Sequence, residues 1–142
     1  MPQIGKYASD SALLDNRAFF FGEVWTIDDE LITIPDADRI QSGGRTQHLA
    51  RSAVIVQNNS ENHNPLSPVI LIAPLCHETN NSKNHDILLD QAEDGVKQNS
   101  YARMRLIQPV LKKDLHKQVA EISNNKKDEI LYGISEMFGI AI

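Results

Sequence analysis

The sequence predicts a mostly β protein, a small antiparallel barrel with helices added at its C-terminal end. Three observations predict it. Short apolar or aromatic runs, separated by clusters of Asn, Asp, Gly and Pro, recur through residues 19–110. Two of those runs, residues 52–57 (apolar from Ala53 to Val56) and 69–75 (apolar throughout), read as strands buried on both faces at the centre of a sheet. Beyond residue 110 the spacing of apolar residues becomes helical. Strands closed off by helices pack as a small barrel with helical additions.

The elements follow in order. Residues 1–18 read as a loosely attached N-terminal segment, in which Ser9 or Ser11 caps a helical turn or two. Residues 19–27, rich in aromatic and β-branched side chains, predict a strand that places Trp25 in the core or at a dimer interface. Asp28-Asp29 turns the chain into a second short strand, residues 30–34, which Pro35 ends. Residues 36–50 form a polar loop around Gly43-Gly44, long enough to be a functional flap. Residues 58–67 and 77–84 read as exposed loops, residues 86–90 as a strand, and residues 91–99, with Gly95, as a turn. Residues 100–107 alternate, so a strand there sets Tyr101, Arg103 and Arg105 on one face. Leu115, Val119 and Ile122 predict a helix from about Lys113, broken at Asn124-Asn125. Residues 128–138 predict a second helix, stopped by Gly139. The expected organisation is one domain over 1–142, with the barrel at 19–110 and the helices at 111–142.

Composition narrows the class. The chain is 41% apolar, 23% charged and 6% aromatic, as soluble globular proteins are. No apolar run reaches the roughly 18 residues that span a bilayer. The N-terminus lacks a secretory layout, and a single cysteine, Cys76, suits a reducing cytoplasm. A net charge of −5 argues against indiscriminate coating of nucleic acid. Yet residues 97–117 carry six basic side chains against one acid, and residues 39–51 carry three arginines and His48 with no acid. Such local basic faces suit transient contact with single-stranded nucleic acid, or merely solvate the surface.

The candidate chemistry sits at strand ends. Arg51 heads one apolar strand, and Cys76 with His77 ends another. A guanidinium held on a sheet stabilises charge developing on a phosphate, and an imidazole beside it moves protons. The competing readings are an arginine that tethers the flap and a cysteine that packs as a small hydrophobe. Cys76, His77 and His85 lack zinc-ligand spacing, so neither a metal nor another cofactor is expected. Gly-x-Ser-x-Gly and phosphate-loop motifs are also missing.

The order of motifs resembles the MazF/PemK family of toxin–antitoxin endoribonucleases. Gly22-Glu-Val-Trp25 is similar to that family's opening strand. Gly43-Gly44 followed by Arg51-Ser-Ala-Val-Ile-Val is similar to its Gly-rich loop and Arg-Pro-Val strand, and residues 69–75 to its strand ending in Pro-(apolar)-Thr/Ser. The resemblance covers residues 20–138. It implies an SH3-like barrel (MazF/PemK/CcdB-like), a cytoplasmic homodimer, and metal-independent cleavage of single-stranded RNA such as mRNA by attack of the ribose 2′-hydroxyl. It also implies a cognate antitoxin partner, no membrane, and operator DNA met only through the antitoxin complex. Carried over, Arg51 stands at the catalytic arginine, Cys76 at a catalytic Thr or Ser, and His77 at its neighbour. Arg45, His48, Arg103 and Arg105 become RNA-binding candidates, with Arg45 competing with Arg51 for the active role. Ser52 replaces the usual proline, Cys76 a hydroxyl and Arg105 an acid of some members. A module that binds without cutting is therefore the alternative, and a topoisomerase poison on the same barrel a third reading.

Overall fold

The computed structural model describes residues 4–40, 45, 47–77 and 85–140. The Gly43-Gly44 pair, most of the expected loop at 77–84 and the terminal residues 141–142 lie outside them. Seven strands are present in that range: β1 (Glu23–Asp28), β2 (Ala50–Ile55), β3 (Val69–Cys76), β4 (Ile87–Leu89), β5 (Ser100–Ala102), β6 (Gln108–Leu111) and β7 (Leu115–Glu121). Every pairing is antiparallel, in the order β4-β5-β3-β2-β1-β7 with β6 also on β3. Strand β3 organises the sheet. Its one edge takes β2, while the other takes β6 along its first half and β5 at Leu75 and Cys76. The end strands do not pair with each other among the described residues, so the sheet curls into a half-barrel. Register slips around Trp25 in the β1–β7 pair tighten the twist there.

The middle of the sheet is buried on both faces, from Ala53 to Ile55 of β2 and from Ile72 to Leu75 of β3, which is why those stretches are apolar; Val69 and Leu71 of β3 stay partly exposed. Alternation along β2 sends Val54 to one cluster, with Ala73, Leu75, Leu89, Met104 and Ile130, and Ala53 and Ile55 to the other, with Phe19, Trp25, Ile27, Ile70 and Ile72. The helix α4 (Asn124–Met137) covers the first face through the fully buried Ile130. Ser123 caps it by accepting a hydrogen bond from the Lys126 N–H. Three further single-turn helices are α1 (Pro35–Asp38), α2 (Asn59–Asn62) and α3 (Gln91–Asp94), the last two lying in segments expected as loop and turn. Trp25 is a core residue; its indole N–H donates to Glu23.

Four expectations are corrected. The helix predicted from Lys113 is strand β7, reached through a 3-10 turn at Lys112–Asp114. Leu115 and Ile122 do point into cores, but opposite ones, and pairing with β1 overrides the helical spacing. The strands therefore extend to Glu121 rather than 110, leaving a single helix of 14 residues after them. The strand expected at 30–34 is a 3-10 turn, Asp29–Leu31. The strand expected at 100–107 stops at Ala102 and winds into a turn at Met104–Leu106, so Arg103 turns inward and Arg105 faces out. The N-terminal segment is tied down from residue 7 onward. Tyr7 donates to Asp114, and Arg17, paired with Asp15, donates to the carbonyls of Lys112 and Leu115. Ser9 precedes the 3-10 turn Asp10–Leu13 but makes no capping bond with its side chain.

Candidate active site at the end of the central strand

The apolar stripe Ile55, Ala53 on one face of β2 ends in Arg51. Arg51 pairs with Ile27 of β1, and Cys76 of β3 pairs with Tyr101 of β5. Continuing the Ala53–Pro74 register by two residues sets Arg51 level with Cys76. Ile27, Arg51, Cys76 and Tyr101 thus form a row where the apolar face gives way to polar groups.

Asp29, just past Ile27, is fully buried and organises this end of the sheet. It accepts from Arg51 Nε at 2.6 Å, Arg45 Nη1 at 2.7 Å and the His48 backbone N–H at 2.9 Å. Burial alone would raise the Asp29 carboxyl pKa. The bonds from Arg51, His48 and Arg45 outweigh it and bring the value down to about 2. A folded-state value below the unfolded one contributes stability that is present above about pH 4 and lost as pH falls towards 2. An acid titration followed by unfolding is expected to show about 2 kcal/mol of loss from this group across that window, and Asp29→Asn is expected to flatten it.

The two arginines differ in what they have left to donate. A guanidinium carries five N–H donors. Arg45 uses four of them: Nε to Asp38, Nη1 to Asp29, and Nη2 to the carbonyls of Asp29 and Ile32. Burial would lower its pKa, but Asp29 and Asp38 raise it. Arg51 uses three: Nε to Asp29, Nη1 to the Leu75 carbonyl at 2.9 Å, and Nη2 to Asp29 at a long 3.5 Å. One N–H on each Nη remains without a bond to the described residues. On the other side of β3, Arg103 donates its backbone N–H to the Pro74 carbonyl and its Nη1 to Asp86 at 2.6 Å. Burial would lower the Arg103 pKa, but contacts with Cys76 and Asp86 raise it. Cys76, half-buried, is therefore flanked by one guanidinium that reaches its neighbour Leu75 and another that touches it. The exposed rings of His48 and His77 lie near each other, tilted by 57° with centroids 6.3 Å apart.

Arg51, Cys76, His77, His48, Arg45 and Arg103 therefore gather at one end of β3. Arg105 is exposed on its turn. Three of the arginines in the locally basic stretches are not left uncompensated: Arg45 and Arg51 pair with Asp29, Arg45 also with Asp38, and Arg103 with Asp86. The Arg51 side chain is only 11% exposed, inside an ion pair. Long-range attraction of phosphate is correspondingly weak here, and directed hydrogen bonding must supply the recognition. The aspartates were the residues missed in the sequence. Asp28-Asp29 reads as a turn, yet arginines entering a core demand a buried carboxylate, and the acid after an apolar strand is the nearest source. Among the described residues no group of three His, Cys, Asp or Glu side chains is arranged to hold a metal ion, and no helix is long and apolar enough to cross a membrane.

A curled antiparallel half-barrel with a C-terminal helix is the fold of MazF-like proteins. The structure is similar to an endoribonuclease from a mycobacterial species (16% identity, 89% of this chain and 96% of the other, TM-score 0.63). It is also similar to a MazE–MazF structure from Deinococcus radiodurans (12% identity, 88% and 99%, TM-score 0.61) and to a mycobacterial endoribonuclease in complex with its cognate antitoxin (15% identity, 88% and 97%, TM-score 0.60). No curated protein matches the chain by sequence. The chain belongs to the PemK-like, MazF-like toxins of type II toxin–antitoxin systems, which it matches over residues 22–138.

Proposed function

We propose that this toxin is an endoribonuclease that cuts single-stranded RNA, mRNA in the cell, without a metal ion. The observation that carries the reading is Arg51, fixed at a strand end with two N–H donors unspent, near the neighbouring imidazoles of His48 and His77. In the reaction the ribose 2′-oxygen bonds to phosphorus and the P–O5′ bond breaks. His77, next to Cys76, takes the 2′-hydroxyl proton, and His48 gives a proton to the departing 5′-oxygen. Arg51 donates to the phosphate oxygens as charge builds on them. The products are a 2′,3′-cyclic phosphate and a free 5′-hydroxyl. Arg103 lines the site from the turn just after β5, and exposed Arg105 contacts the RNA backbone, whereas Arg45 straps the loop in place. Solved relatives described as endoribonucleases, and as complexes with antitoxin, support a cognate antitoxin partner as well. The protein works as a cytoplasmic homodimer, reaching operator DNA only within the antitoxin complex.

The purified chain is expected to cleave single-stranded RNA in EDTA, leaving those two ends, and to spare a substrate with 2′-deoxyribose at the scissile position. RNA left intact at high enzyme concentration contradicts the reading. The balanced charge of the three arginine–aspartate pairs favours one other reading, a toxin-fold module that binds its partner without cutting. Growth arrest on expression that Arg51→Ala abolishes separates the two.

A further inference from the structure

The buried carboxylate of Asp29 holds together three parts of the chain that the sequence keeps well apart. Arg51 arrives from β2, Arg45 from the long polar loop, and the His48 N–H from the end of that loop. Both carboxylate oxygens are engaged: Oδ1 accepts from Arg51 Nε and Arg45 Nη1, and Oδ2 from the His48 N–H and, at a long 3.5 Å, from Arg51 Nη2. Each of these contacts restrains something different. A bond at Nε, together with Nη1 on the Leu75 carbonyl, holds two edges of the Arg51 guanidinium plane and stops it from turning over. The two remaining N–H groups, one on each Nη, then lie in a fixed plane. Arg45, with four of its donors spent on Asp29, Asp38 and two carbonyls, has no comparable pair to offer and acts as a strap. The His48 N–H bond fixes the backbone that carries one of the two neighbouring imidazoles.

We propose that Asp29 is the positioning residue of this site. It sets the orientation of Arg51 and, through Arg45 and the His48 N–H, seats the loop carrying His48, without touching RNA itself. The inference rests on the nuclease reading and deepens it. Asp29 does more than neutralise charge, because neutralisation alone would not require the geometry at Nε. A carboxylate that only filled an ion pair would leave the rate of the chemical step indifferent to its replacement in a folded variant.

The test uses the full chain and single-turnover cleavage of an RNA oligonucleotide, alongside binding of its all-2′-deoxy analogue. Asp29→Asn, shown to be folded by circular dichroism and thermal melting, is expected to lose about 10- to 100-fold in rate with little change in analogue affinity. Asp29→Asn combined with Arg51→Ala is expected to lose clearly less than the sum of the two separate losses, since the part that acts through Arg51 is already gone and only the seating of the His48 loop is left to lose. Methylguanidinium added to Arg51→Ala is expected to restore at least tenfold in rate, and to restore nothing in the double variant, where its seat has gone. A folded Asp29→Asn that cleaves at the wild-type rate, or fully additive losses, overturns the proposal. Should Asp29→Asn fail to fold, the rescue of Arg51→Ala decides: saturable rescue supports the seat, and its absence overturns it. Wild-type protein that leaves RNA uncut overturns the nuclease reading instead.

Discussion

Arg51→Ala is expected to slow single-turnover RNA cleavage by about 100- to 1,000-fold, the range seen when one preorganised donor to developing negative charge is removed. The chain should still fold. Asp29 keeps its bonds from Arg45 and the His48 N–H, so the carboxylate is not left bare. The Leu75 carbonyl, next to the half-buried Cys76, loses its partner, a modest cost for one neutral acceptor. Arg51→Lys restores the charge but only as a point donor, so it cannot hold Asp29 and the Leu75 carbonyl while also reaching a phosphate. It is expected to recover a small part of the rate. Denaturing gels resolving the cyclic-phosphate product measure both variants against wild type. Cleavage by Arg51→Ala within a few fold of wild type would move the catalytic role elsewhere, since Arg45 is already committed to Asp29, Asp38 and two carbonyls.

Phe19→Ala is expected to cost about 3–5 kcal/mol of folding stability, as large aromatic truncations in a packed core do. Phe19 is fully buried, its ring lies 4.7 Å from that of Trp25, and the Arg17 guanidinium sits over both rings. The same change tests whether the N-terminal segment belongs to the folded unit. Arg17 donates to Lys112 and Leu115 and covers this ring pair, so it joins the start of the chain to the approach to β7. Urea unfolding followed through Trp25, the only tryptophan, should show a lower midpoint at an unchanged slope. A loss below about 1 kcal/mol would mean that the cavity collapses freely and the segment contributes little.

The central strands were legible because burial on both faces leaves a signature that no other element shares. Residues 53–56 and 69–75 lie in or beside the strands at the middle of the sheet, as their apolar runs predict. Strand β7 was not legible, because an edge strand needs only a few inward side chains. Leu115 and Ile122, pointing to opposite faces, happen to fall at a helical interval. The alternation at 100–107 misled for a related reason. Local pattern cannot announce that a strand will stop at Ala102 and turn Arg103 inward to Asp86. At the site, the sequence placed Arg51, Cys76 and His77 at strand ends, where they are found, but was silent on their electrostatics. The pairing of three arginines with three aspartates depends on contacts up to 22 residues apart in the chain. No local rule reads that.

The central claim is that the Arg51 N–H donors left over from Asp29 and Leu75 meet the phosphate of a bound strand. Nitrogen-15 NMR of the arginine side chains, recorded while an uncleavable 2′-deoxy oligonucleotide is titrated in, tests it directly. The account predicts that the Arg51 Nη signals shift saturably with the oligonucleotide while Nε keeps the signature of its bond to Asp29. Saturating binding that leaves every Arg51 signal in place would contradict it.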